Sequence, residues 1–202
     1  LNSIILASGS PRRKKLLEQI NLTFRVQVSA VDEHYDPERS PTDIVQILAD
    51  RKARDIAQNN AHNLIIGADT LVVYGNKILE KPKNLQQAKN MLKQLSGNRH
   101  TVLTGVALYK TFEDKESRYH HFVEQTKVTF GDIDAEDIST YVKSGAPMDK
   151  AGAYGIQDDF GTLFVKHIDG DYNTVVGFPL HKFYCEMKKF APEYLADNMN
   201  KG

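Results

Sequence analysis

The sequence predicts an α/β fold built on a mixed β-sheet. Two observations carry that reading. Short apolar runs with strand character alternate along the chain with segments whose apolar residues recur at helical spacing. Hairpin signals interrupt that alternation, so the sheet must combine parallel with antiparallel pairs.

Ser3–Ala7 reads as the first strand and ends in the turn Ser8-Gly9-Ser10. Ser10 is a good helix N-cap, and Pro11 suits the first helical position, where its missing N–H costs nothing. Leu16, Leu17 and Ile20 then form an apolar stripe. Residues 24–28 alternate like a second strand. Ser40-Pro41-Thr42-Asp43 opens the next helix, whose buried face is Val45, Leu48, Ala49, Ala53 and Ile56. Residues 64–66 form a buried strand that leads into Gly67-Ala68-Asp69-Thr70. Residues 71–74 and 77–79, joined at Gly75-Asn76, read as a hairpin. Asn84 and Gln87 start a helix carrying Ala88, Met91, Leu92 and Leu95, stopped at Ser96-Gly97. Strands at 101–109 and 121–130 flank a charged loop at 113–118. A short helix follows near 135–142, then a Gly-rich loop, a strand at 163–168, a turn at Asp169-Gly170 and a helix from Leu180. The last ten or so residues are polar and expected to fray.

The 202 residues fit one ordinary domain or two modest lobes that share a core, and 41% hydrophobic with 26% charged residues argues against a disordered chain. Twenty-six basic residues balance 26 acidic ones, so no global positive field holds a long nucleic acid and any basic site must be local. No apolar run approaches the roughly 18 residues that span a bilayer. The apolar stretch 4–7 precedes its basic residues, the reverse of a secretory signal. With Cys185 the single cysteine, the expected setting is reducing and cytoplasmic.

The strand–turn–helix at 3–17 is the best local signal for chemistry. A Ser/Gly turn opening a helix aims backbone N–H groups and the positive dipole end at one spot, which suits phosphate. Arg12 and Arg13 lie four residues before Leu16 and Leu17, on the core-facing side. Lys14 lies four before Glu18 on the wet face. Guanidinium groups match phosphate oxygens bidentately. The plainer alternative is a solvated basic patch; the Walker pattern is absent. Lys52 sits four residues from both Leu48 and Ile56, so it either snorkels past the core or reaches a site beyond it. Asp69 ends an apolar strand, where open α/β sheets place ligands, and is either a base or metal ligand or an Asx-turn residue. Asp32-Glu33 offers further carboxylates, and Glu80-Lys81-Pro82 a charged pair at a rigid turn. Within 149–157, Lys150 offers a cation, Tyr154 a stacking surface, and Gln157 an amide that both donates and accepts. No zinc spacing and no Gly-x-Ser-x-Gly elbow occur, and Cys185 has no evident base.

Seven stretches in order resemble the Maf family, the septum-formation-inhibitor-like nucleoside triphosphate pyrophosphatases. They are Leu6-Ala7-Ser8-Gly9-Ser10-Pro11-Arg12-Arg13, Gly67-Ala68-Asp69-Thr70, Glu80-Lys81-Pro82, Leu95-Ser96-Gly97, His100 with Thr104-Gly105-Val106, Asp149 through Gln157, and Val176-Gly177-Phe178-Pro179. Arg12, Thr70 and Gln157 resemble the branch acting on dTTP and UTP. Glu80 stands where the family usually has Gly, and Phe178 where Leu is commoner.

The resemblance implies an elongated mixed sheet flanked by helices, two lobes with a central cleft, and a fold similar to inosine-triphosphate pyrophosphatases. It implies one domain over 1–190 followed by a polar tail over 191–202. The implied reaction cleaves dTTP or UTP, and by extension modified pyrimidine nucleotides, to the nucleoside monophosphate and pyrophosphate. Such an enzyme serves nucleotide-pool cleansing or cell-division arrest. Asp69 is implied as the proton acceptor. Ser8, Arg13, Lys52 and Lys81 are implied as ligands of the triphosphate, and Arg12, Thr70 and Gln157 as readers of the base. A Mg²⁺ or Mn²⁺ ion is implied at Glu33 and Asp69, and the family favours a homodimer, with no nucleic-acid or membrane partner. The alternative is a non-catalytic nucleotide-binding regulator of septum formation. A nucleic-acid module using residues 12–15 is disfavoured by the charge balance.

Overall fold

The computed structural model describes residues 3–113, 117–158 and 160–199. Along the chain lie β1 (Ser3–Ala7), α1 (Pro11–Gln19), β2 (Arg25–Val26), α2 (Pro41–Ala57), β3 (Asn63–Tyr74), β4 (Lys77–Leu79), α3 (Leu85–Leu95), β5 (Arg99–Thr111) and β6 (Ser117–Phe130). Then come α4 (Ala135–Lys143), 3₁₀ turns at Ala146–Asp149 and Ala151–Ala153, α5 (Gly161–Phe164), β7 (Val165–Asp169), α6 (Tyr172–Val176), α7 (Leu180–Phe190) and α8 (Pro192–Asn198). The strands form one sheet in the order β2-β1-β3-β5-β6-β7, with β4 paired to β3. β1 runs parallel to both β2 and β3, whereas β4 on β3 and β7 on β6 are antiparallel. The sheet is therefore mixed, as the hairpin signals require.

Contacts divide the chain into two compact units. The first is Leu1–Asp69, Thr104–Glu124 and Gly177–Gly202; the second is Thr70–Leu103 and Gln125–Val176. In the first, β1 and β3 pair in register from Ser3↔Asn63 to Ala7↔Gly67. Their side chains Ile5, Ala7 and Ile65 pack with Ala49, Ala53 and Ile56 of α2 and with Ala107 and Tyr109 of β5. Ser40 caps α2 by accepting the Asp43 N–H at 3.1 Å, and Pro41 takes the first helical position. A Cβ on Gly67 would lie 2.4 Å from the Ala49 carbonyl oxygen and 2.8 Å from Ala53 Cβ. Only glycine lets β3 approach the helix this closely.

In the second unit, Asn84 caps α3 by accepting the Gln87 N–H at 2.8 Å. Ala88, Met91, Leu92 and Leu95 of that helix enter a core with Val128, Phe130, Tyr141, Tyr154 and Phe164. His100 is buried there, edge-on to Phe130 and Tyr154 with ring centroids 5.0 and 5.3 Å away. Burial pushes its pKa down to about 4, so it packs as a neutral ring.

Several expectations are revised. The strands expected at 64–66 and 71–74 are one continuous strand, β3, so Asp69 lies inside a strand and not at its end. The apolar pattern hid this because Asp69 and Thr70 interrupt it without breaking the ladder. The strand expected at 24–28 shrinks to β2, where both residues are exposed. The strand expected at 163–168 starts later, because α5 takes residues up to Phe164. The polar tail is also revised: α8 buries Tyr194 and Leu195, and Met199 bridges back to Leu22. Ala191 is buried beside them and Pro192 starts the helix, in a segment that is otherwise mostly polar. Residues 114–116 of the charged loop and 200–202 of the tail lie outside the described residues.

Candidate active site

The first unit assembles a cationic corner at the start of α1. Ser10 caps the helix, and Ser8 Oγ accepts both the Ser10 N–H and Arg13 Nη1, each at 3.2 Å. Arg13 Nε donates to the Gly177 carbonyl at 2.9 Å. The guanidinium is thus fixed at two points and buried against the helix start. Burial pushes its pKa below the ordinary arginine value; Asp69 pushes it back up, Arg12 pushes it down and Glu33 up. Arg12 is half-buried on the same turn, while Lys14 pairs with Glu18 at 3.6 Å on the wet face. The helical spacing placed all three correctly.

Beside this corner lies a charge triad. Lys52 reaches from the apolar stripe of α2 and places Nζ 2.6 Å from Asp69 Oδ1 and 2.7 Å from Glu33 Oε1. Its side chain is 13% exposed, as is that of Asp69, whereas Glu33 is 57% exposed. Lys52 therefore reaches a site beyond the core, the less common of its two readings. Asp69 is held there by the strand that Gly67 presses onto α2. Asp32 takes the loop role instead: its carboxylate accepts the His34 N–H at 2.9 Å.

Thr70, Lys81 and Gln157 belong to the second unit. Thr70 is half-buried on β3, and Lys81 and Gln157 are exposed. The Gly152 N–H donates to the Glu80 carbonyl at 3.3 Å, docking the 149–157 segment beside the Glu80-Lys81-Pro82 turn. Gly152 has φ +69°, and a Cβ there would meet Val72 Cγ1 at 2.9 Å. Two readings of this segment are corrected. Tyr154 is no stacking surface: it is buried, and its hydroxyl meets His100 Nε2 at 2.8 Å. Lys150 is an anchor and not an anion ligand, because Nζ lies 2.7 Å from Asp149 Oδ1 and 3.0 Å from Asp158 Oδ2 with the side chain 10% exposed.

A family model described as Maf-like protein matches residues 3–190. The chain belongs to that family. This Maf-like chain is 50% identical over 191 residues to a protein of Geobacillus sp. (strain WCH70) named dTTP/UTP pyrophosphatase, covering 95% of the chain and all of the relative. It is 47% identical over 190 residues to a Bacillus cereus (strain G9842) protein of the same name, covering 94% and 96%. A solved nucleoside-triphosphatase (dITP/XTP pyrophosphatase) of Mycobacterium abscessus aligns at 14% identity and TM-score 0.41, over 96% and 97% of the two chains.

The Maf-like site offers a divalent cation two carboxylates, Glu33 and Asp69. Both converge on the Lys52 ammonium, so the space between them is taken by a positive charge. Among the described residues no group of three or more His, Cys, Asp or Glu converges to hold a metal. Two carboxylates suit Mg²⁺ or Mn²⁺, ions that retain waters and take further oxygens from a phosphate substrate. Among the described residues no helix is long and apolar enough to cross a membrane. The sequence missed the Gly177 carbonyl as a partner of Arg13, since a backbone acceptor leaves no side-chain signal. It also missed Asp158, whose only cue was its position next to Gln157.

Proposed function

We propose that this Maf-like chain hydrolyses dTTP and UTP between the α- and β-phosphates, giving the nucleoside monophosphate and pyrophosphate. The observation that carries this reading is its identity, near half and over almost the whole length, to relatives named dTTP/UTP pyrophosphatase. The charge pattern of the first unit supports it. Phosphoryl transfer requires an oriented water and fixed positive charge facing the phosphate oxygens. A buried Arg13, held by Ser8 and Gly177, supplies charge that needs no reorganisation.

Asp69 accepts the proton of the attacking water. Its Oδ1 is engaged by Lys52. A bound triphosphate gives that ammonium a stronger anion to meet, and Lys52 turning toward it frees the carboxylate for water. Ser8 and Lys81 complete the triphosphate ligands; Arg12, Thr70 and Gln157 read the base. Glu33 and Asp69 would hold a Mg²⁺ or Mn²⁺ ion, which when bound neutralises phosphate charge. Asp69 paired with a lysine argues for turnover over the non-catalytic regulator, because a pure binder gains nothing from a carboxylate facing phosphate. The reading places the protein in the cytoplasm as a homodimer, acting on the pyrimidine nucleotide pool, modified nucleotides included, or on cell division.

Phosphorus NMR of the products tests the bond cleaved. Pyrophosphate and dTMP from dTTP are the expected pair. Orthophosphate and dTDP would place the cut at the γ-phosphate and overturn the reading.

A further inference from the structure

The segment that carries Gln157 is anchored by a carboxylate outside the charge triad. Asp158 Oδ2 lies 3.0 Å from Lys150 Nζ and accepts the Tyr141 hydroxyl at 3.1 Å. That hydroxyl oxygen in turn accepts the Gly155 N–H at 3.2 Å. The Asp158 N–H donates to the Gly155 carbonyl at 3.0 Å, and its own carbonyl accepts the Thr162 N–H at 2.9 Å. The carboxylate sits so close to Gly155 that a Cβ there would lie 2.5 Å from Oδ2. Asp158 is therefore fixed through its side chain and both backbone groups.

Its other oxygen, Oδ1, faces the exposed Gln157 amide, with Nε2 at 3.5 Å. A carboxylate has no donor, so it attracts the amide nitrogen and repels the amide oxygen. A glutamine alone on a surface presents either end. Beside a fixed carboxylate the NH₂ end is the one drawn inward.

We propose that Asp158 is a specificity-positioning residue that orients the Gln157 amide so that its oxygen accepts the ring N3–H of uracil or thymine, selecting these bases over cytosine. The inference rests on the nucleotide pyrophosphatase reading and on Gln157 meeting the base. The ring edge that pairs in nucleic acids offers one donor in uracil and thymine, the N3–H, between two carbonyl oxygens. An acceptor that reads either base there must meet that N3–H. In cytosine N3 carries a lone pair, and a fixed carbonyl oxygen opposite it is repelled. Unpaired polar groups of this kind are a strong source of discrimination.

The test is the ratio of kcat/KM for UTP to that for CTP in four proteins: wild type, Asp158→Asn, Gln157→Met and the double variant. Asp158→Asn keeps an acceptor for Tyr141 but lets the glutamine amide turn either way. The ratio is expected to fall about tenfold, partly through a gain on CTP. In the Gln157→Met background, Asp158→Asn is expected to leave the ratio unchanged, because no amide remains to orient. An unchanged ratio in Asp158→Asn overturns the proposal. So does an equal fall in both backgrounds, which marks a structural effect on the loop. If Asp158→Asn does not fold, Asp158→Ser carries the same comparison. A wild type that turns over no nucleotide overturns the enzyme reading, and this inference with it. A wild type active on UTP with an insensitive ratio overturns the inference alone.

Discussion

Asp69→Asn is expected to lower kcat on dTTP by about a thousandfold while leaving nucleotide binding measurable by calorimetry. The amide keeps the size and the strand position of the carboxylate but cannot take a proton from water. Affinity is expected to hold or to rise. The substitution removes the negative charge that engages Lys52 at 2.6 Å, leaving that ammonium to the phosphates. Loss of binding together with activity would make holding the metal and its phosphates the main role of Asp69, and would contradict the proton-acceptor assignment. Activity within a few-fold of wild type would remove it from the reaction.

Gly67→Ala is expected to combine loss of stability with loss of activity. The added methyl would lie 2.4 Å from the Ala49 carbonyl oxygen and 2.8 Å from the Ala53 backbone nitrogen. Backbone atoms inside a helix cannot swing aside, so β3 and α2 must separate. Overpacking of this kind costs about 1–3 kcal/mol. The same separation parts Asp69 on β3 from Lys52 on α2, so turnover is expected to fall even where the variant remains folded. Gly131→Ala is the control. Nothing lies within 4 Å of a Cβ there, and its urea midpoint is expected to stay near wild type, within about 0.5 kcal/mol. Equal midpoints for the two variants would contradict the close approach of strand and helix.

Much of this was legible in the sequence because helical spacing carries direction. The spacing set Arg13, four residues before Leu17, on the core-facing side and Lys52 on the apolar stripe between Leu48 and Ile56, and the structure holds both there. The caps at Ser10, Ser40 and Asn84 were equally plain, since each is a local contact of a side chain with a nearby N–H. What stayed hidden depends on contacts distant in sequence. The Gly177 carbonyl reaches Arg13 across 164 residues through backbone alone. Among small residues Tyr154 reads as a stacking surface, but it is buried against His100 and Phe130, contacts distant in sequence. The helix at the C-terminus escaped because its order comes from burying Tyr194 and Leu195, not from a long apolar stripe.

The most direct measurement is pyrophosphate release by the wild-type protein from dTTP, UTP, CTP, dATP and dGTP, with Mg²⁺ and then with EDTA. The account predicts release from dTTP and UTP, little from the purine nucleotides, and none once the metal is chelated. Release from purine nucleotides at equal rates would contradict the base-reading assignment of Arg12, Thr70 and Gln157. No release from any of them, despite binding, would contradict the enzyme itself and return the chain to a nucleotide-binding regulator.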